Sequence, residues 1–412
     1  MTEHKASRWI FALAIIIGLY QMLFVGGFGF GPGWEAVAIA RELVKSGSFA
    51  NPFQAGPSGP TAVIPPLYPF FLARLMKLLG DTPAFAVTVS LLAVFVQALH
   101  ASLMPRVSLK LLGDPRAGVW AGVFATAAYR LMPQWDAMYT CCGILLFLLY
   151  ASMAVPRSSA FSGIAAGLLL LTNPSTLLIT VPWLGYLWWK NKSGLFPAAV
   201  AGIAILFTVL PWMARNQQTL GSFALKSNLG FTLYVSNSDC APASLSQGPA
   251  SACMSAKNPN KSADELALLS RLGEARYDAL RKADAMQWIR SHRDAFIRLT
   301  LARVADFWFP PEDRTLIVWV VTALSLPGFY LWLRRRLPVS LYLVGVTLLY
   351  PVLYYLVVID IRYRYPVLWI SLLGAGYAIS ELLAAISAPG ARKNTTYPAP
   401  PSPQTAARPA RT

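Results

Sequence analysis

The sequence predicts an all-α, polytopic membrane helical bundle of about ten spans, with interfacial juxtamembrane helices and a mostly helical external segment. Three observations predict it. The chain is 56% apolar and only 13% charged, with a mean hydropathy of +0.49, which excludes an ordinary soluble domain. Apolar runs of span length recur along its 412 residues. The net charge of +17 comes from basic residues in short clusters between those runs, the pattern that orients membrane proteins. No nucleic-acid motif accompanies the charge, so no nucleic-acid partner is expected.

Taken in order, Lys5 and Arg8 precede apolar residues from Trp9 to Phe28. No small-x-small cleavage site stands out, which favours a retained signal anchor with its N-terminus inside. The next stretch, 29–82, is too polar and too rich in Gly and Pro to span, and forms a first external loop. Glu35 stands at its head, followed by a short amphipathic run (Trp34 to Val44) and a Pro-rich return (Pro60 to Pro69). Residues 63–79 are apolar but contain Arg74, Lys77 and three prolines. Later runs fall at 83–104, 117–134, 137–155, 160–172, 175–189, 195–213, 316–333, 339–359 and 366–385. Parity then discriminates. If 63–79 stays in the interface, Arg106, Lys110, Arg116, Arg157, Lys190, Lys192 and Arg334-Arg335-Arg336 all face the cytoplasm. If it crosses, all face outward, against the charge rule. The pair 160–172 and 175–189, split by Asn173-Pro174, is the other point on which parity turns.

The expected organisation is an N-terminal membrane module over 1–213, an external segment over 214–315, C-terminal spans over 316–387 and a disordered cytoplasmic tail over 388–412, rich in Pro, Ala, Thr and Ser. Within the external segment Ser262-Ala-Asp-Glu265 reads as a capping box. Leu266, Leu269 and Leu272 then share one helical face, and Gly273 breaks the run. A second amphipathic stretch carries Trp288, Ile289, Phe296, Leu299 and Trp308. It suits either a helix on an anionic membrane surface or a small domain packed on itself.

Cys141 and Cys142 sit in an apolar run as core residues. Cys240 and Cys253 lie in a polar loop with twelve residues between them. If that loop is external they are disulfide candidates. The three histidines, His4, His100 and His292, are too far apart for a metal spacing.

Ten of the eighteen acidic residues fall in 214–315, so the other eight can be weighed singly. Glu35, Asp81, Asp136 and Asp360 lie at external ends of apolar runs, where a charge is costly unless paired or useful. Each could serve only as an interfacial ion-pair partner. Glu35 and Asp136 are the pair singled out for chemistry. Basic residues at the same level are Arg215, Arg362 and Arg364. Arginine suits phosphate because its planar fork donates two hydrogen bonds. The rival reading for Asp-Ile-Arg-Tyr-Arg-Tyr-Pro is an aromatic belt with snorkelling arginines.

An ordered set of residues carries a resemblance. It runs Trp34-Glu35, Ile39-Ala40-Arg41, Gly47-Ser48-Phe49, Asn51-Pro52-Phe53, Gly59-Pro60-Thr61-Ala62 and Pro65-Pro66-Leu67-Tyr68-Pro69. It continues through Trp135-Asp136, Leu171-Thr172-Asn173-Pro174, Pro211-Trp212, Arg215-Asn216, Asn260, Glu265, Gly273-Glu274, Tyr277 and Asp306-Phe307-Trp308 to Arg362-Tyr363-Arg364-Tyr365-Pro366. In these the chain resembles the GT-C superfamily of polytopic glycosyltransferases, bacterial family 39-like, related to protein mannosyltransferases and the aminoarabinose transferase. The resemblance implies an inverting enzyme of the bacterial inner membrane. It would move a sugar from a polyprenyl-phosphate donor to a lipid, glycan or protein acceptor at the outer face. Glu35 would be the base or assist it, Asp136 would orient the acceptor or hold a cation, and Arg215, Arg362 and Arg364 would meet the lipid phosphate. Many relatives carry Asp, or two successive acids, where this chain has Glu35 between Trp34 and Ala36. Some relatives bind a divalent cation and others none, and no metal site can be read here. The alternatives are a flippase of lipid-linked sugars, which usually shows internal repeats and mid-membrane charge, and a scaffold of the same fold.

Overall fold

The computed structural model describes residues 3–25, 35–154, 158–192, 194–244, 252–311 and 316–387. Trp34 and the tail over 388–412 lie outside the described residues. The fold is all-α. Among the described residues the extended pairings are two isolated bridges, Ala50 with Pro60 and Ser244 with Ile359.

The helices are α1 (Glu3–Tyr20, continued by a π-helical turn to Val25), α2 (Glu35–Ser46), α3 (Leu67–Leu79), α4 (Pro83–Leu112), α5 (Pro115–Ala128), α6 (Ala137–Ala154), α7 (Ser159–Thr172), α8 (Leu177–Lys190) and α9 (Leu195–Leu220). They continue with α10 (Leu229–Ser236), α11 (Ala252–Ala256), α12 (Ala263–Leu272), α13 (Glu274–Ser291), α14 (Arg293–Trp308), α15 (Leu316–Arg334), α16 (Ser340–Leu349) and α17 (Tyr365–Ser387). By length and composition five segments are long and apolar enough to cross a membrane: Glu3–Val25, Pro83–Leu112, Leu195–Leu220, Leu316–Arg334 and Ile361–Ser387. Three shorter apolar helices accompany them, Ala137–Met153, Ser159–Thr172 and Ser340–Leu353.

Local chemistry sets the breaks. Pro83 opens α4 at a position where its missing N–H costs nothing. Gly113 closes α4 in the left-handed conformation, φ +77°. Asp114 then caps α5, accepting from the Arg116 N–H at 2.9 Å. Between α7 and α8 the Asn173 side chain accepts from the Ser175 N–H, and Pro174 cannot continue the helical ladder. Two helices result there instead of one. The run beginning at Leu195 extends beyond its apolar part to Leu220, carrying Arg215 one turn and more past Pro211.

α17 is the axis of the bundle. Every residue from Tyr365 to Tyr377 is buried, packed among α5, α6 and α15. The helices approach closely through small residues, as membrane helices do. A Cβ on Gly376 would stand 2.1 Å from the Ala117 carbonyl oxygen of α5, and one on Gly328 2.0 Å from the Gly374 carbonyl oxygen. α2 and α3 pack on each other through Ala36, Val37, Ala40, Tyr68, Leu72 and Met76. At about 1.5 Å per residue α3 is roughly 20 Å long, short of the ~30 Å hydrocarbon layer.

Ion pairs mark the opposite end of the bundle: Glu3 with Arg106, Asp114 with Arg116, and Arg335 with Glu381. The segment between α9 and α15 covers the loop after α2. Leu266 and Leu269 of α12 pack on Phe53 and Val63, and the Gln54 N–H donates to Asn260 Oδ1 at 2.7 Å. Only half of the expected capping box forms. Ser262 Oγ accepts from the Glu265 N–H, but the Glu265 carboxylate turns away to Arg281 at 2.5 Å and to the Tyr277 hydroxyl at 2.7 Å. A charge-assisted pair outweighs a second cap. Cys240 and Cys253 form a disulfide, Cα–Cα 6.0 Å, whereas Cys141 and Cys142 are free and buried.

Because Gly376 has backbone for a neighbour, Gly376→Val should destabilise the protein by about 1–3 kcal/mol through overpacking. Gly345→Ala, with open space around its Cβ, should leave thermal unfolding in detergent unchanged or slightly raised. Equal melting temperatures for the Gly376 variant and the wild type would disprove the close α5–α17 contact.

Candidate active site

Four charged side chains from distant parts of the chain feel one another at one end of the bundle: Glu35, Asp136, Lys226 and Arg362. Each is held by local structure. Glu35 is the first residue of α2, so its carboxylate sits at the positive end of a helix dipole. Asp136 immediately precedes α6. Its Oδ2 accepts from the Thr140 hydroxyl at 2.9 Å and from Asn173 Nδ2 at 3.5 Å. Asn173 is itself held, accepting at Oδ1 from the Ser175 hydroxyl at 2.8 Å. The Tyr68 hydroxyl of α3 donates to the Pro133 carbonyl, tying the α2–α3 pair to the loop that carries Asp136.

Arg362 lies in the 3-10 turn Ile361–Arg364, which leads into the buried α17. Asp360 caps that turn, accepting from the Arg362 N–H at 3.0 Å, and its Oδ2 pairs with Nε at 3.0 Å. The guanidinium carbon rests 3.4 Å from the Trp135 ring centroid. A stacked guanidinium keeps its outer N–H groups available in the ring plane.

Lys226 comes from the loop between α9 and α10, and its neighbours are pinned. The Asn216 side chain donates to the Ala224 carbonyl at 2.8 Å, and the Trp212 indole to the Leu225 carbonyl at 3.0 Å. The Ser227 N–H donates to the Ala62 carbonyl at 3.0 Å. Ser227 Oγ donates to Glu274. The Lys226 side chain stays exposed. It is shifted by burial and by three charged neighbours all the same. An exposed ammonium that feels three charged neighbours stands at the open side of their cluster.

Glu274 is a second organising carboxylate, 7% exposed. Besides Ser227 it accepts from the Thr61 hydroxyl at 2.5 Å and the Ala62 N–H at 2.7 Å. It thereby joins the return toward α3 to the Lys226 loop. Arg215 braces the same place. It donates to the carbonyls of Thr61 (2.7 Å) and Phe49 (2.9 Å) and to Asn216 Oδ1 (3.0 Å), and stacks on Trp212 and Phe49. Arg364 is 3% exposed. It donates to the Trp308 carbonyl at 2.8 Å, the Thr322 hydroxyl at 2.7 Å and Ser371 Oγ at 3.4 Å. Of the sequence candidates, then, Glu35, Asp136 and Arg362 come together, while Arg215 and Arg364 are occupied by backbone and hydroxyl acceptors elsewhere. Lys226 escaped the sequence reading, since it is a lone lysine in a short loop with no periodicity to mark it.

The electrostatics follow from burial. Burial pushes the Glu35 carboxyl above its usual value, against its own backbone N–H, Arg362 and Lys226. Asp136 is raised by burial too, against the Thr140 hydrogen bond, Arg362 and Lys226. Lys226 is lowered by burial and by Arg362, with Asp136 and Glu35 pulling it back. A carboxylate whose proton affinity is raised by burial can serve as a general base, and two neighbouring cations can receive a leaving phosphate.

No family model matches the chain, and no curated protein matches it. Solved structures do match. The Archaeoglobus fulgidus oligosaccharyltransferase in complex with Zn and sulfate aligns with a TM-score of 0.55 at 14% identity, over 92% of this chain and 49% of that one. Its apo form aligns with a TM-score of 0.54 at 12% identity, over 94% and 52%. AglB from the same organism, in complex with an inhibitory peptide and a dolichol-phosphate, aligns with a TM-score of 0.51 at 12% identity, again over 94% and 52%. The chain thus spans about half the length of the structures it matches. Identities this low show the fold alone: an all-α membrane fold similar to that of the archaeal oligosaccharyltransferase.

The donor set does not fit a resident divalent cation. No group of three or more His, Cys, Asp or Glu among the described residues could hold one. Glu35 and Asp136 each interact with Lys226 and Arg362, two cations that would repel a metal ion.

Glu274 gives the site a pH signature. Burial raises its carboxyl above the usual 4.5, so the folded protein keeps this proton longer than the unfolded chain does. The associated stability is complete below the unfolded value and is lost as pH rises through the folded one. Thermal unfolding of Glu274→Gln in detergent, from about pH 4 to pH 8, should therefore show a shallower decline with pH than the wild type. Superimposable pH profiles would contradict the assignment.

Proposed function

We propose that the chain is an inverting glycosyltransferase that moves a sugar from a polyprenyl-phosphate donor to an acceptor hydroxyl. The reaction would run at the outer face of a bacterial cytoplasmic membrane. The observation that carries the reading is the meeting of two raised carboxylates with two cations at one end of an apolar bundle. The likeness to an oligosaccharyltransferase that has been captured with a dolichol-phosphate lends it support. The distribution of basic residues at the opposite end agrees with an outward-facing site.

In this reading Glu35 takes the proton from the acceptor hydroxyl as its oxygen attacks the anomeric carbon from one face. The bond from that carbon to the phosphate oxygen breaks on the other face, and the polyprenyl phosphate leaves with the electron pair. Arg362 and Lys226 receive the negative charge that develops on it. Asp136, fixed by Thr140 and Asn173, orients the acceptor or donor hydroxyls. Arg215 holds the loop after α2 through the carbonyls it binds, and Arg364 anchors the start of α17 to α14 and α15. The membrane surface brings the lipid-borne donor to the same end.

Membrane vesicles containing the protein, supplied with radiolabelled polyprenyl-phosphate sugars and total cell acceptors, test this. The wild type should transfer label. Glu35→Gln should lower the rate by about 10²–10⁴-fold, and Lys226→Met by about 10²–10³-fold. The acid limb of the wild-type pH profile should lie above the ordinary carboxylate range, because Glu35 must lose its proton before it can act. Transfer that survives Glu35→Gln removes Glu35 as base. Donor translocation without any transfer replaces the enzyme with a flippase.

A further inference from the structure

A second set of contacts runs from the residues beside the disulfide to the stretch that precedes Arg362. The residues flanking Cys240 are bonded to the stretch that precedes Arg362. The Val358 N–H donates to Ser236 Oγ at 2.9 Å, and the Ile359 N–H to the Ala243 carbonyl at 2.8 Å. Asn237 Nδ2 donates to the Leu356 carbonyl at 3.0 Å, and Ser244 bridges Ile359 in parallel. Asn237 and Ser236 are fixed in turn by the fully buried Arg303, which donates to Asn237 Oδ1 at 3.1 Å and to the Ser236 carbonyl. Asp360 comes next in the chain and orients Arg362 through two contacts of 3.0 Å.

Ala243 and Ser244 lie just beyond Cys240, and the cross-link to Cys253 closes the loop that contains them. A closed loop has fewer conformations in which to lose these bonds. An open one holds Ala243 and Ser244 only by the bonds themselves. Stretch 356–360 has no helical ladder of its own before the 3-10 turn; the Val357 N–H turns back to the Tyr354 carbonyl, while the Val358 and Ile359 N–H groups depend on these outside partners.

We infer that the Cys240–Cys253 disulfide is a positioning device for Arg362. Closed, it holds 243–244 against 358–359 and keeps the guanidinium over Trp135 for the donor phosphate. A dithiol reductant that delivers two electrons and two protons converts it to two thiols, the dithiol becoming a disulfide. The loop then slackens and the guanidinium loses its fixed position. The proposal rests on the donor reading given above. It makes donor affinity dependent on the thiol–disulfide balance of the compartment.

The experiment uses the full chain in detergent with farnesyl phosphate as probe. It compares wild type, Cys240→Ser with Cys253→Ser, Arg362→Ala, and the triple variant. Wild-type protein reduced after purification guards against a folding defect in the cysteine variants. Opening the cross-link should raise the dissociation constant about tenfold when Arg362 is present and leave it unchanged in the Arg362→Ala background. Amide hydrogen exchange over 356–364 should quicken on reduction while that of α15 stays constant. An equal loss of affinity with and without Arg362, or exchange over 356–364 that ignores reduction, overturns the proposal. Faster exchange on reduction in a wild type that binds no farnesyl phosphate upholds the staple and overturns the donor reading.

Discussion

Charge at the end of an apolar bundle is tolerable only when it is compensated, and that constraint shapes this protein. Glu35 and Asp136 are each raised by burial, and Lys226 is lowered by it. An isolated ion in such a place would neutralise itself or draw in water. Four groups of balanced sign can remain ionised together.

The surrounding structure can be understood as the means of holding these charges still. α17, buried along most of its length, starts from the turn that carries Arg362. Glu274 and Arg215 bind the loop after α2 from two sides, Glu274 through the Thr61 hydroxyl and Ala62 N–H, Arg215 through the Thr61 and Phe49 carbonyls. Between them they leave few backbone groups near Lys226 free to move. Hydrogen bonds of this kind each contribute on the order of 1 kcal/mol, more where one partner is charged. Their value here is geometric, since a displaced catalytic group loses far more in rate than in stability.

The helices were legible in the sequence because long apolar runs separated by Gly, Pro and basic residues leave little choice of structure. Glu35 and Asp136 were legible because acids are so scarce outside 214–315 that each one invites a reason. Arg362 and Arg364 could not be told apart, since both alternate with tyrosines. The 3-10 turn resolves them by sending Arg364 into the Trp308 and Thr322 acceptors and leaving Arg362 stacked on Trp135. Arg215 was visible as a cation but not the carbonyls that occupy it. Lys226 had no local signal, because its position is made by long-range contacts from Trp212, Asn216, Ala62 and Glu274. Glu265 was read for its cap, and a partner sixteen residues away claimed its carboxylate.

A double-mutant cycle between Glu35→Gln and Lys226→Met, read as sugar transfer from a polyprenyl-phosphate donor, tests most directly whether the four charges act as one unit. A unit predicts strong non-additivity, with the double variant little worse than the more damaging single one and a coupling close to the smaller single effect, about 3–4 kcal/mol. Effects that add to within about 0.3–0.5 kcal/mol would mean that Glu35 and Lys226 serve separate sites, and the shared cleft would have to be abandoned.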